Sequence, residues 1–178
     1  MKLFAGGMTE YLLVDGYNII YMWPTLKALA DTSLDHARIK LLDILSNHQG
    51  FTRNEIIVVF DAHKVHGGVG SVEQWGDIRV IYTKEAETAD SYIERAAAVL
   101  AKRYRVRVAT SDGMEQIIII GHGALRVSAI ELKHEIDHIK SYLREQYINN
   151  KPIKKNMLLD NLDSKTAEKL EKMRYKEV

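Results

Sequence analysis

Two short apolar runs, each ending in an aspartate, set the pattern of this chain: YLLV at 11–14 leads into Asp15-Gly16, and EIIVVF at 55–60 leads into Asp61. A run that is apolar at consecutive rather than alternate positions predicts a strand covered on both faces. Two further β-branched runs follow, IRVIY at 78–82 and VRVA at 106–109, the second entering Thr110-Ser111-Asp112, and ALRV at 124–127 predicts a weaker fifth strand. Between them the spacing is helical. Residues 33–48 place Leu34, Ala37, Leu41, Ile44 and Leu45 on one face, and residues 89–102 do the same with Ile93, Ala96, Ala97 and Leu100. Ser128-Ala129-Ile130-Glu131 has the form of a capping box opening a helix whose inner stripe is Leu132, Ile136, Ile139 and Leu143.

Strands that alternate with helices predict an α/β fold, a mostly parallel sheet of about five strands with helices on both faces. Right-handed crossovers then bring the carboxyl ends of the strands to a common edge, so Asp15, Asp61 and Asp112 converge there. The composition turns Lys-rich after Asn149-Asn150-Lys151-Pro152. This divides the chain into a domain at 1–150 and a basic tail at 151–178, with one short amphipathic helix at 164–173.

Bulk properties narrow the choice without making it. With 46% hydrophobic and 28% charged residues, the 178-residue chain has the make-up of a folded domain. The absence of cysteine excludes disulfides and thiolate metal sites, leaving oxygen or imidazole ligands. The amino terminus lacks the charged start and apolar stretch of a signal peptide, and no window approaches the roughly 18 apolar residues that span a bilayer. A cytoplasmic protein with no membrane partner is expected. A net charge of +1 gives no global pull on nucleic acid, though a local basic patch is compatible with it.

The chemistry gathers around carboxylates. In Asp15-Gly16-Tyr17-Asn18, Gly16 is expected to let the backbone turn so that Asp15 and Asn18 face one cavity, the bland alternative being a helix cap. Asp61 is followed by His63, Lys64, His66 and a loop with Gly67, Gly68 and Gly70 that would suit a lid. Glu87 precedes Asp90, which shares a helical face with Glu94, and these like charges repel unless a cation lies between them. Asp112, next to Ser111, also fits a capping box with Glu115. Acids gathered without matching cations raise one another's pKa, a cost that bound Mg²⁺ or Mn²⁺ removes. Such a site implies phosphodiester hydrolysis by in-line displacement, leaving 5′-phosphate and 3′-hydroxyl ends, with no small-molecule organic cofactor. Lys64, Lys84, Arg95, Arg103 and the lysines of 151–155 are candidates for steering a polyanion. A decoy competes, since His134-Glu135-Ile136-Asp137-His138 matches the H-E-x-x-H of zinc proteases. The inner stripe of that helix, however, leaves both histidines on its outer flank.

LLVDGYNII, VVFDAH, ETADSYIE and VATSDGMEQ, in this order, resemble the YacP-like branch of the NYN domains, relatives of PIN nucleases, over roughly residues 10–147. The resemblance implies a PIN-like Rossmannoid three-layer sandwich and an endoribonuclease linked to messenger RNA decay on the ribosome. Carried over by position, the acidic residues of the family fall on Asp15, Asp61, Asp90 and Asp112, with Asn18 supporting the first and Ser111 beside the last. Glu87, Glu94 and His63 are additional candidates. The competing expectation is a noncatalytic RNA- or ribosome-binding module whose acids hold a structural ion.

Overall fold

The computed structural model describes residues 9–61, 70–84, 86–111 and 123–149. The first apolar run forms β1 (Glu10–Asp15), and three helices follow it: α1 (Gly16–Met22), α2 (Pro24–Thr32) and α3 (Leu34–Thr52). The second run forms β2 (Glu55–Phe60), and a hairpin of β3 (Ser71–Trp75) and β4 (Ile78–Tyr82) comes next. Then come α4 (Ala89–Leu100), β5 (Arg105–Ala109), β6 (Leu125–Val127) and α5 (Ala129–Asn149).

Among the described residues the sheet has six strands in the order β3-β4-β2-β1-β5-β6, all parallel except β3, which runs antiparallel to β4. From β1 the chain steps outward to β2 and β4, then returns to the other flank for β5 and β6. Strand order therefore reverses between β1 and β5, the place where open α/β sheets leave a crevice at their carboxyl ends.

Alternation along each strand explains why the runs are apolar throughout. Leu12 and Val14 of β1, with Ile56, Val58 and Phe60 of β2, face the side covered by Ile19, Ile20, Leu26, Leu41, Leu45 and Leu132 of the helices. Leu13, Ile57, Val59, Val106 and Val108 face the other side, where Ile93 and Ala97 of α4 pack. β1, β2, β4 and β5 thus each feed two cores, at roughly 1.5–3 kcal/mol for each fully buried large aliphatic side chain.

Three features differ from the sequence expectation. The sixth strand, β3, falls where the hydrophobic pattern predicts no strand, yet Gly76-Asp77 between Trp75 and Ile78 is a two-residue hairpin connection, and Gly76 adopts the positive φ of 58° that such turns use. The segment between β1 and α3 is helical, broken at Trp23 because Pro24 cannot extend α1 but can open α2 at its first position. Finally, α3 runs on to Thr52 and ends with Arg53 in the left-handed region at φ 58°.

By its contacts the chain divides into two compact units, 1–139 and 140–178. Of the second, only the distal part of α5 belongs to the described residues, and the expected tail at 151–178 lies outside them. Among the described residues no helix is long and apolar enough to cross a membrane.

Candidate active site

Asp15 is the last residue of β1 and the N-cap of α1, where its Oδ1 accepts the Asn18 N–H at 3.1 Å. The cap reading and the site reading therefore describe one residue. Its carboxyl is pushed up to about 6 from 3.8, first by burial and then by the charges of Asp90 and Asp61, against the pull of the Asn18 and Tyr17 amides. Keeping such a group ionised at neutral pH costs the fold about 3 kcal/mol. The two acids that raise it lie on different elements, Asp61 after β2 and Asp90 in the first turn of α4. Asp15 thus feels the charges of both acids.

The neighbourhood of β1 and β2 is set by one close approach. A Cβ on Gly16 would lie 2.2 Å from Phe60 Cε1, so the ring next to Asp61 occupies the space a side chain would need. Gly16 does not have a positive φ, so it serves this contact rather than the sharp turn expected from sequence. Thr83, just past β4 and 1% exposed, donates its N–H to the Phe60 carbonyl at 3.0 Å. Its hydroxyl makes a long 3.5 Å contact with Asp61 Oδ1. Sequence inspection missed Thr83, which carries no motif and is found only through the register of β2 with β4.

Across the switch point a chain of hydrogen bonds ties α1, the end of β5 and α5 together. Asn18 Oδ1 accepts the Ser111 N–H at 2.9 Å, and Ser111 Oγ accepts the Ala129 N–H at 3.2 Å. The Ala129 carbonyl in turn accepts the buried Trp23 indole N–H at 2.8 Å. Reciprocal bonds between Ser128 and Glu131 complete the expected capping box. Asn18 therefore holds the segment leading to Asp112 in place through its side chain. Trp23, also missed from sequence, secures the carbonyl of the same residue.

The remaining candidates divide. Asp90 is exposed and Glu94 half-buried on α4, whose N-cap is Thr88. Glu87 pairs with Arg95, whose guanidinium also lies over the Tyr92 ring at 5.8 Å, so Arg95 is engaged within the protein. Lys84 is exposed, with its stem over Gly70. Asp112, His63, Lys64, His66 and the glycines at 67 and 68 lie outside the described residues. Among the described residues no three acids or histidines stand close enough to form a coordination shell. The acids whose charges raise the Asp15 carboxyl offer carboxylate oxygens, the ligand type hard divalent cations take.

The protease motif dissolves. His134 and His138 are not buried against a metal-binding face, while Glu135, which would have to act as base, is bound by both Nη atoms of Arg107 at 3.1 and 2.5 Å.

Comparison with known proteins gives one consistent answer. The family model described as YacP-like NYN domain matches residues 12–175. A Bacillus subtilis (strain 168) relative, uncharacterized protein YacP, is 46% identical over 132 residues, covering 74% of this chain and 77% of the relative. The crystal structure of a point mutant of Rae1 (YacP) from Bacillus subtilis superposes with a TM-score of 0.67 at 38% identity, covering 93% of this chain and 99% of that one. A second crystal structure of Rae1 (YacP) gives a TM-score of 0.65 at 40% identity, covering 93% and 95%.

Proposed function

The chain belongs to the YacP-like NYN domain family, and from that membership we propose that it is a metal-dependent endoribonuclease acting on messenger RNA in the cytoplasm, in association with the ribosome. NYN domains are a PIN-like nuclease family, so a nuclease kind of activity on RNA comes with membership. The observation that carries the finer reading is Asp15: a buried carboxyl whose pKa is raised further by Asp90 and Asp61 is destabilising in isolation and coherent beside a cation.

In this reading Asp15, Asp61, Asp90 and Asp112 hold Mg²⁺ or Mn²⁺. When bound, the ion supplies positive charge against the scissile phosphate and acidifies the attacking water. The residues of the chain do the positioning. The Asn18 amide fixes the Asp15 carboxylate, Thr83 orients Asp61, and the Asn18–Ser111 bond sets where the segment bearing Asp112 departs from the sheet. Residues 1–150 are the nuclease domain, and the lysines of 151–155 add cations to a chain of net charge +1. Because affinity for RNA grows with the number of phosphates neutralised, a ribosome presenting the message would supply binding that this chain lacks alone.

The test is cleavage of messenger RNA, free and on translating ribosomes, with Mn²⁺ or Mg²⁺ and with EDTA, by wild type, Asp15→Asn and Asp112→Asn. Metal-dependent cutting that both variants lose is the expected result. Equal inactivity of all three proteins under every condition, with RNA still bound, would replace the enzyme by a noncatalytic RNA-binding module.

A further inference from the structure

Beside the acid cluster, on the β2–β4 side of Asp15, lies a row of aromatic rings at the same carboxyl edge of the sheet. Tyr17, in the first turn of α1, meets Phe60 edge-on with centroids 5.1 Å apart, and Phe60 stacks on Tyr82 at 5.6 Å. Phe60 and Tyr82 are the last residues of β2 and β4. Arg38 of α3 reaches this row and donates from Nη1 to the Tyr17 hydroxyl at 2.8 Å. The guanidinium is thereby fixed in direction by the Tyr17 hydroxyl.

Its other terminal nitrogen, Nη2, pairs with Asp35, whose side chain is 74% exposed while that of Arg38 is 14% exposed. The partner of Nη2 is therefore itself open to solvent. An ion pair with so exposed a carboxylate is worth about 0–1 kcal/mol. A phosphate offers the same nitrogen a stronger, charge-assisted partner. Two other arginines are committed differently: Arg107 to Glu10 and Glu135 at the far end, Arg95 to the less exposed Glu87.

We propose that Arg38, oriented by the Tyr17 hydroxyl and occupied at rest by Asp35, is a binding site for a backbone phosphate of the RNA strand flanking the acid cluster. The proposal rests on the RNA reading above and adds a named subsite to it. Asp35 acts as an internal stand-in for the phosphate and competes with it. An RNA strand approaching Asp15, Asp61 and Asp90 meets negative charge, and a fixed cation on one flank offsets that repulsion and gives the strand a direction.

The experiment is fluorescence polarisation of a short fluorescein-labelled single-stranded RNA with the full chain in EDTA, at rising KCl. Arg38→Ala should weaken binding about tenfold and reduce the slope of log K against log salt by about 0.7, the share of one phosphate contact on a single strand. Arg38→Lys should recover part of the affinity. Asp35→Asn should act in the opposite direction and tighten binding about threefold, an outcome a purely structural pair does not produce. Thermal melts of each variant exclude unfolding as the cause. If wild type binds RNA while Arg38→Ala and Asp35→Asn leave the dissociation constant and its salt slope unchanged, the subsite is refuted and the RNA reading stands. If wild type binds no RNA even at low salt, the subsite is refuted, and cleavage on translating ribosomes decides the RNA reading.

Discussion

β1 begins at Glu10 and ends at Asp15, and its two ends treat buried charge in opposite ways. At the amino end Arg107 of β5 bridges Glu10 at 3.4 Å and Glu135 of α5 at 2.5 Å, and Asn54 donates to Glu10 at 3.0 Å. Glu135 is held down to about 2, first by His48 and then by Arg107. His48 Nε2 stands 3.4 Å from Glu135 Oε1. At the carboxyl end Asp15 has acidic neighbours and a carboxyl pushed up to about 6. One end of the strand balances its charges and clamps α3, β1, β5 and α5 together. The other keeps an excess of negative charge, which weakens the fold and suits it to receive a cation.

Substituting one carboxylate at each end gives the largest contrast. Asp15→Asn should reduce cleavage at least about 100-fold, since a positioned charge of the site is lost. It should at the same time stabilise the cation-free fold by about 2–3 kcal/mol at neutral pH, because asparagine caps a helix as well as aspartate and has no charge to desolvate. Glu135→Gln should lower stability by about 2 kcal/mol, leaving Arg107 short of a counter-charge. Urea denaturation in EDTA measures both. A destabilised Asp15→Asn would show that Asp15 is a satisfied cap and erase the contrast.

The same opposition predicts a stability profile with two limbs. The folded chain retains the Asp15 proton up to about pH 6, while the unfolded chain loses it near 3.8, so stability falls as pH rises through that window and is level above it. Glu135 behaves in reverse. The unfolded chain takes up its proton from about 4.5 downward and the folded chain only near 2, so stability falls as pH drops between these values. Together they place a maximum near pH 4–5. In denaturation midpoints collected from pH 3 to 8, Asp15→Asn should flatten the upper limb alone and Glu135→Gln the lower limb alone.

Cation binding sharpens the comparison from another direction. At neutral pH, Mn²⁺ at about 100 times its dissociation constant should stabilise wild type by about 2.7 kcal/mol and remove most of the upper pH limb. Glu135→Gln should gain as much. Asp15→Asn should gain much less, which a thermal melt with and without Mn²⁺ reads directly.

The sequence made the carboxyl end of this comparison legible as a candidate site and hid the amino end. Strands apolar on both faces and closed by an aspartate reveal sheet, edge and acids together, because burial and chemistry leave their marks at adjacent positions. The Arg107–Glu135–His48 network leaves none, since its members are far apart in sequence and Glu135 sits inside a pattern that reads as a metal motif. α1 and α2 escape a sequence reading because each is short and Pro24 interrupts their periodicity, and β3 because four of its five residues are exposed and show no apolar alternation. Asn18 is legible as a site residue but not in its full role: what it holds is a backbone amide 93 residues away, a distance in sequence that no local pattern encodes.

That bond supplies the smallest and most discriminating prediction. Asn18→Ala removes the acceptor for the part-buried Ser111 N–H and should cost about 1 kcal/mol at any pH. Asn18→Asp keeps an acceptor oxygen for Ser111 but adds a negative charge beside Asp15. Its cost should be slight at pH 4, where Asp15 is protonated, and should grow toward pH 7, as the added carboxylate drives the Asp15 pKa further upward. Urea midpoints for the two variants at both pH values separate strap from charge. An Asn18→Asp variant as stable as wild type at pH 7 would mean that the carboxyl end tolerates further charge without a cation, and the distinction between the two ends of β1 would then lie in geometry rather than in electrostatics.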